Sequence, residues 1–203
     1  MTQATRSAQS RAGNVAEAAI APTIQVYRDY QALRLPAGIS GTPWRRAIGE
    51  PGAALLTRQH PPTIGAQGGG SRVAKSPTDY YGVAEVRGRQ VPLAFDVKSV
   101  ASQVSFKLKP TESHQVAFMH HVERFGGIGF FLLVDVPWST AWILAGANLA
   151  ALEAGERVTF CARVAGEPAS HRVPWLAKGP FGGLGFWGYD FLAKLTFPPE
   201  PGT

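Results

Sequence analysis

Cysteine is almost absent from this chain of 203 residues: Cys161 stands alone. That excludes an intramolecular disulfide and any cysteine-rich zinc site. Long hydrophobic runs are missing too. No stretch of about 18 apolar residues exists, so no helix is expected to span a membrane. The first 13 residues are polar and carry Arg6 and Arg11. No apolar segment follows them, so no secretory signal is expected. A cytoplasmic protein is the expectation. Acidic residues are scarce in the first third. Residues 1–75 hold only Glu17, Asp29 and Glu50 against nine basic side chains: Arg6, Arg11, Arg28, Arg34, Arg45, Arg46, Arg58, Arg72 and Lys75.

What is present fits a folded chain. Hydrophobic residues make up 45% and aromatics 10%, enough for a core and too many for a disordered tail. The length fits one domain, or one domain with an elaborated loop. The formal net charge is +6, and all of that excess lies in residues 1–75, because residues 76–203 carry eleven charges of each sign. Eight of the nine basic residues in the first third are Arg, whose planar fork suits phosphate. A polyanion, nucleic acid above all, is the matching partner. A solvated basic face on an ordinary protein fits the charge equally well at this point.

Residues 1–12 read as a flexible N-terminal arm, and 13–203 as a single domain. A helix is predicted from Asn14 as N-cap to about Ala32, with Val15, Ala18, Ala19, Pro22, Val26 and Tyr30 near one face. Pro22 should kink or interrupt it. Ala32–Leu35 reads as a short strand. Residues 38–77 contain eight Gly and five Pro. Ala53–Leu56 and Thr63–Ala66 could pair there as a ribbon. The whole segment reads as a protruding basic insertion rather than a packed one. Asp79–Val86 and Val91–Ser99 read as strands flanking a turn at Arg87-Gly88-Arg89. Thr111 can cap a helix over about Glu112–Phe125, stopped by Gly126. Ile128–Val134 is continuously apolar, the mark of a strand buried on both faces. Ala141–Ala145 reads as the next strand. The fold class is α/β. The aromatic tail from Val173 to Pro199 has no clear element, and core is its expected destination.

One constellation carries chemistry. Asp79 follows Pro77 and Thr78, and Phe95-Asp96-Val97-Lys98 comes 17 residues later. Residues two apart on a strand share a face, so Asp96 and Lys98 should project together, away from Phe95 and Val97. Asp79, Asp96 and the backbone carbonyl of Val97 offer the hard oxygen ligands that suit Mg²⁺. Lys98 could then orient or deprotonate an attacking water. A bare salt bridge between Asp96 and Lys98 is the competing explanation. Gln115 argues for the site, since it lies on the inward stripe with Met119 and Val122 and needs a polar partner. Glu17, an acid in an Ala-rich helix, could close the site from the N-terminal side. It could equally cap the helix dipole. His114, His120, His121 and Glu123 crowd one helix without a known metal spacing and read as mostly solvated. Phe125-Gly126-Gly127-Ile128-Gly129 follows a helix and precedes a strand, the reverse of a dinucleotide-binding turn. No organic cofactor is expected.

The pattern P-D…(D/E)-x-K marks a large nuclease superfamily. Within it, the chain resembles the RecU-type Holliday junction resolvases. The segments that carry the resemblance are Gly13–Glu17, Thr78-Asp79-Tyr80-Tyr81-Gly82, Phe95–Lys98, Phe106-Lys107-Leu108, His114-Gln115 and Phe125–Phe130, with a fainter trace at Tyr189–Leu192. They agree in order over roughly residues 13–145. The resemblance implies a restriction-endonuclease-like mixed β-sheet flanked by helices, with a protruding basic stalk. It implies a homodimer that binds four-way junction DNA and nicks two strands symmetrically with Mg²⁺ or Mn²⁺. By the same carry-over, Glu17, Asp79 and Asp96 are metal-site acids, Lys98 is the catalytic lysine, and Gln115 supports the site. Thr78, at the position beside the first Asp, is expected to touch the phosphate as a DNA contact. Residues 38–77 occupy the place of the stalk, so Arg45, Arg46, Arg58, Arg72 and Lys75, with Arg11 of the arm, are the expected DNA contacts. Two departures are visible. Asp96 stands where Glu is common, and Arg11-Ala12-Gly13 stands where an Arg directly before the Gly is expected. Two other functions remain open from sequence: a less selective repair or restriction-type nuclease, and a junction-binding protein without catalysis.

Overall fold

The computed structural model describes residues 15–28, 54–58, 77–101, 103–160, 162–164, 167–169, 173–181 and 186–197. The N-terminal arm, the strand expected at Ala32–Leu35 and most of 38–77 lie outside these residues.

A helix, α1, spans residues 15–28. It continues across Pro22 without the interruption that is one of the two expected effects. Pro22 removes the bond to the Ala18 carbonyl, but both residues lie on the exposed face, where water can satisfy that oxygen. The strands that follow are β1 (Ala54–Arg58), β2 (Tyr80–Val86), β3 (Arg89–Ser99), β4 (Ser105–Lys107), β5 (Ile128–Asp135), β6 (Thr140–Ala145) and β7 (Arg157–Thr159). Helix α2 (Ser113–Arg124) lies between β4 and β5, and α3 (Ala147–Glu153) between β6 and β7. Short strands β8 (Ala162–Val164), β9 (Glu167–Ala169), β10 (Trp175–Ala177), β11 (Gly179–Phe181) and β12 (Phe186–Gly188) follow among the described residues.

Six strands form one mixed sheet in the order β1-β2-β3-β5-β6-β10. The pairs β1–β2 and β2–β3 are antiparallel, β3–β5 is parallel, and β5–β6 and β6–β10 are antiparallel. The parallel pair needs a crossover connection, and α2 supplies it. This is a mixed α/β sheet flanked by helices, consistent with a restriction-endonuclease-like fold. The turn between β2 and β3 places Arg87 at φ 51° and Gly88 at φ 77°, the two positive values of a primed hairpin turn.

The placement of β1 corrects one expectation. Residues 54–58 fall inside the segment expected to protrude unpacked, yet they are an edge strand of the main sheet. Ala54 and Leu56 are buried in the core. An apolar strand beside β2 hides its side chains and satisfies its backbone together, which an isolated ribbon cannot do.

The sheet separates two cores. On one face α1 packs through Ala16, Ile20, Ile24 and Tyr27 onto Leu93, Phe95, Val97, Phe130 and Leu132. On the other, Val116 and Met119 of α2 and Leu149 and Leu152 of α3 cover Phe131, Leu133, Trp142 and Leu144. All eight residues of β5 are buried, as its apolar run predicts. Tyr80, Phe95 and Phe130 stack across three strands, with centroids 5.0 and 4.9 Å apart. The C-terminal tail joins the α1 core. Tyr189, Phe191, Leu192 and Leu195 are buried, and the Tyr27 hydroxyl donates to Asp190 Oδ1 at 2.8 Å.

Candidate active site

The site lies where β3 ends, on the α2 face of the sheet. Alternation along β3 sends Leu93, Phe95 and Val97 to the α1 core. Asp96 and Lys98 therefore point the other way, as the period of two requires. Asp96 is 1% exposed. Its Oδ2 lies 2.6 Å from Lys98 Nζ. That contact is an ion pair outside hydrogen-bond alignment, and Oδ2 accepts no other bond. Gln115, in the first turn of α2, donates from Nε2 to Asp96 Oδ1 at 2.7 Å. The same amide accepts from Lys98 Nζ through Oε1 at 3.1 Å. Gln115 thus finds the polar partner its inward position demanded.

Asp79 precedes β2. Its Oδ2 accepts the backbone N–H of Val97 at 2.9 Å, one step beyond the Tyr80–Phe95 pair of the ladder. The carboxylate takes the place of a strand partner there and lies close enough to Asp96 to act on its charge. Thr78 is 1% exposed, and its hydroxyl donates to the Tyr80 carbonyl at 3.1 Å. It shapes the strand start from within.

Sequence reasoning missed Glu112. Its Oε1 accepts from Lys98 Nζ at 3.1 Å. It closes a short 3₁₀ turn, Pro110–Glu112, just before α2. The only signal was its position three residues ahead of Gln115, one helical turn away on the same face.

Glu17 stands apart. It is on α1 and forms an ion pair with Arg58 at the end of β1. Arg58 is paired in register with Tyr80, so this ion pair sits beside the strand that Asp79 begins. Among the described residues, no three His, Cys, Asp or Glu side chains converge at metal-binding distance. The set Glu17, Asp79 and Asp96 is therefore not brought together, whereas Asp79, Asp96, Lys98 and Gln115 are. Arg58, expected to contact DNA, is half-exposed and carries this pairing. Arg11, Arg45, Arg46, Arg72 and Lys75 lie outside the described residues. His120, expected to be mostly solvated, bridges Glu123 (2.8 Å) and Glu153 (3.4 Å) and links α2 to α3.

Electrostatics follow from this crowding. Burial pushes the Asp96 carboxyl up; the Lys98 ammonium opposes that, Asp79 and Glu112 add to it, and the pKa settles at about 7. Burial pulls Lys98 down, but Asp96 and Glu112 outweigh it, and its pKa ends above the ordinary value. Two carboxylates, Asp96 and Glu112, flank the one ammonium, and Asp79 adds negative charge near Asp96. An Asp96 oxygen held only by its ion pair to Lys98, a neighbouring carboxylate and the end of a strand form a hard-oxygen donor set that fits a divalent cation. A separate cleft of about 270 Å³, lined by Ile128, Ala145, Asn148 and Lys194 among others, opens where β5 begins and β6 ends. It lies at the other end of these strands and contains none of the site residues.

This arrangement lies within one recognisable segment. Residues 70–159 match the family model of RecU, Recombination protein U. The RecU match starts ahead of Thr78 and ends with β7, so it spans Asp79, Asp96, Lys98, Glu112 and Gln115, and it agrees with the resemblance read from the motifs. No curated protein matches the chain. Among the described residues, no helix is long and apolar enough to cross a membrane.

Proposed function

We propose that this chain is a RecU-type Holliday junction resolvase. In this reading it is a metal-dependent endonuclease that works as a homodimer in the cytoplasm and cuts two strands of a four-way junction symmetrically. The observation that carries the reading is the convergence of Asp79, Asp96, Lys98 and Gln115 at the end of β3, inside the RecU match.

Asp79 and Asp96, with the Val97 carbonyl, would hold Mg²⁺ or Mn²⁺. When bound, such a cation supplies Lewis-acid stabilisation of the charge that builds on the phosphate and makes a nearby water more acidic. The chain's own groups do the rest. Gln115 fixes the Asp96 carboxylate by its amide N–H. Asp79 holds the backbone of Val97 and so keeps the strand end in register. Lys98 carries a positive charge into a partly closed site, where a donor aimed at a phosphate oxygen is worth more than in water. Glu17, now paired with Arg58, would be released for the site once Arg58 turns to a phosphate. The basic excess of residues 1–75 would hold the junction arms through backbone contacts, which position without reading sequence.

The test is incubation with a labelled four-way junction and a matched duplex, with Mg²⁺ and with EDTA. Metal-dependent paired nicks confined to the junction are expected. Equal cutting of both substrates would instead make the protein a general nuclease, and binding without any cutting would make it a scaffold.

A further inference from the structure

We propose that Glu112 is a positioning residue that aims Lys98 at the scissile phosphate; this rests on the nuclease reading above. Lys98 Nζ donates to Glu112 Oε1 and Gln115 Oε1, each at 3.1 Å, and forms an ion pair with Asp96 Oδ2 at 2.6 Å. Its Nζ also lies 5.8 Å from the centre of the Phe131 ring. A lysine stem has much rotamer freedom to lose, and this cradle removes it before substrate arrives.

The three partners are not equivalent. Asp96 would hold the cation in the proposed site, which would weaken its hold on Lys98. Gln115 is neutral and spends its amide N–H on Asp96. Glu112 belongs to neither duty. Its second oxygen, Oε2, accepts the Lys109 backbone N–H at 3.4 Å, so one carboxylate ties the start of the α2 segment to the ammonium. Among the described residues it is the charged acceptor that stays on Lys98 once Asp96 turns to a cation. The Lys98 N–H not bound to Glu112 or Gln115 is then free to meet a non-bridging phosphate oxygen, while Glu112 sets its direction.

Glu112 as a mere turn cap is the competing explanation, and it predicts a different result. Glu112→Gln keeps the size and an acceptor for Lys109 but loses the charge that holds Lys98. Cleavage of a four-way junction is measured under single-turnover conditions, with junction affinity measured in EDTA. The metal-free protein, labelled with ¹⁵N at the lysine Nζ, is observed by NMR. Glu112→Gln is expected to slow cleavage roughly ten- to a hundred-fold with junction affinity unchanged. Glu112→Asp should restore part of the rate. The Lys98 ammonium signal, sharp in the wild type, should broaden in Glu112→Gln. Full cleavage by Glu112→Gln, or an unchanged Lys98 signal, overturns the proposal. If the wild type cuts no junction, the nuclease reading falls by itself, and the Lys98 signal still decides whether Glu112 holds the lysine.

Discussion

At the scale of single residues, Asp96 concentrates the tension of the site. A carboxylate 1% exposed, with Asp79 and Glu112 nearby, is costly to ionise. Its folded pKa of about 7 lies above the ordinary 3.8. Between those values the folded protein holds a proton that the unfolded chain has released. By linkage, this group makes the metal-free protein lose stability as pH rises from about 4 to about 7, and the penalty is complete above 7. Asp96→Asn removes that penalty. The variant's Tm in EDTA at pH 8 is expected to exceed the wild type's by roughly 5 °C, with the gap closing toward pH 4, while junction cleavage is abolished and junction binding retained. Differential scanning calorimetry at the two pH values checks the first part. Saturating Mg²⁺ should raise the Tm of the wild type and leave Asp96→Asn unmoved, which a chelator titration would show. Gln115→Ala leaves Asp96 Oδ1 without its donor and Lys98 without one acceptor. A cleavage rate lower by about one to two orders of magnitude is expected, with an unaltered circular dichroism spectrum.

At the scale of elements, the site depends on how closely α2 lies on β5. A Cβ placed on Gly129 would meet Met119 Cβ at 2.5 Å and Met119 backbone atoms at 2.9 Å. The glycine therefore sets the helix-to-strand distance, and through it the reach of Glu112 and Gln115 to β3. Gly129→Ala is expected to destabilise by about 1–3 kcal/mol or more, lowering Tm by roughly 2–10 °C, and to slow cleavage because the two polar side chains retreat from Asp96 and Lys98. Thermal melts and kinetics on the same sample test both. Element type was legible wherever the pattern was local. The β2–β3 hairpin, the buried strand β5 and the Gly126 stop, at φ 75°, all follow from alternation, an apolar run and a glycine at the helix end. Helix α3, the β4–β7 pairing and the edge strand β1 were not legible. Their runs are short, and their partners lie far away in sequence, as with Ser105 opposite Thr159.

At the scale of the molecule, the sequence divides into a basic first third, residues 1–75, and a charge-balanced remainder. Resolution of a junction needs two coordinated cuts, which a symmetric pair of subunits provides. Mixing wild type with an excess of Asp96→Asn should convert paired cuts into single nicks, because each mixed dimer of the proposed assembly would hold one working site. Denaturing and native gels run on the same reaction distinguish the two products. Sedimentation of the free protein at the mass of one chain, together with undiminished paired cutting in the mixture, would overturn the dimer. Raising salt should weaken junction binding steeply if the arginines of residues 1–75 contact phosphates, and the slope of affinity against salt measures how many do.

Sequence alone determined the chemistry that periodicity can encode. The alternation through Leu93, Phe95 and Val97 put Asp96 and Lys98 on one face, and the helical spacing of Gln115 and Met119 turned the amide inward. These features depend on neighbours a few residues apart, whose relative direction the backbone geometry dictates. Only the tertiary structure decided which distant groups meet. It brought Asp79 to the Val97 N–H and set Glu112 against Lys98. It paired Glu17 with Arg58 rather than with the two aspartates, and it drew Tyr189 and Phe191 into the α1 core. Each of those contacts depends on strand register, crossover placement and helix depth together. No local pattern carries that information, because the free energy that selects it is shared among the packed elements of the whole sheet.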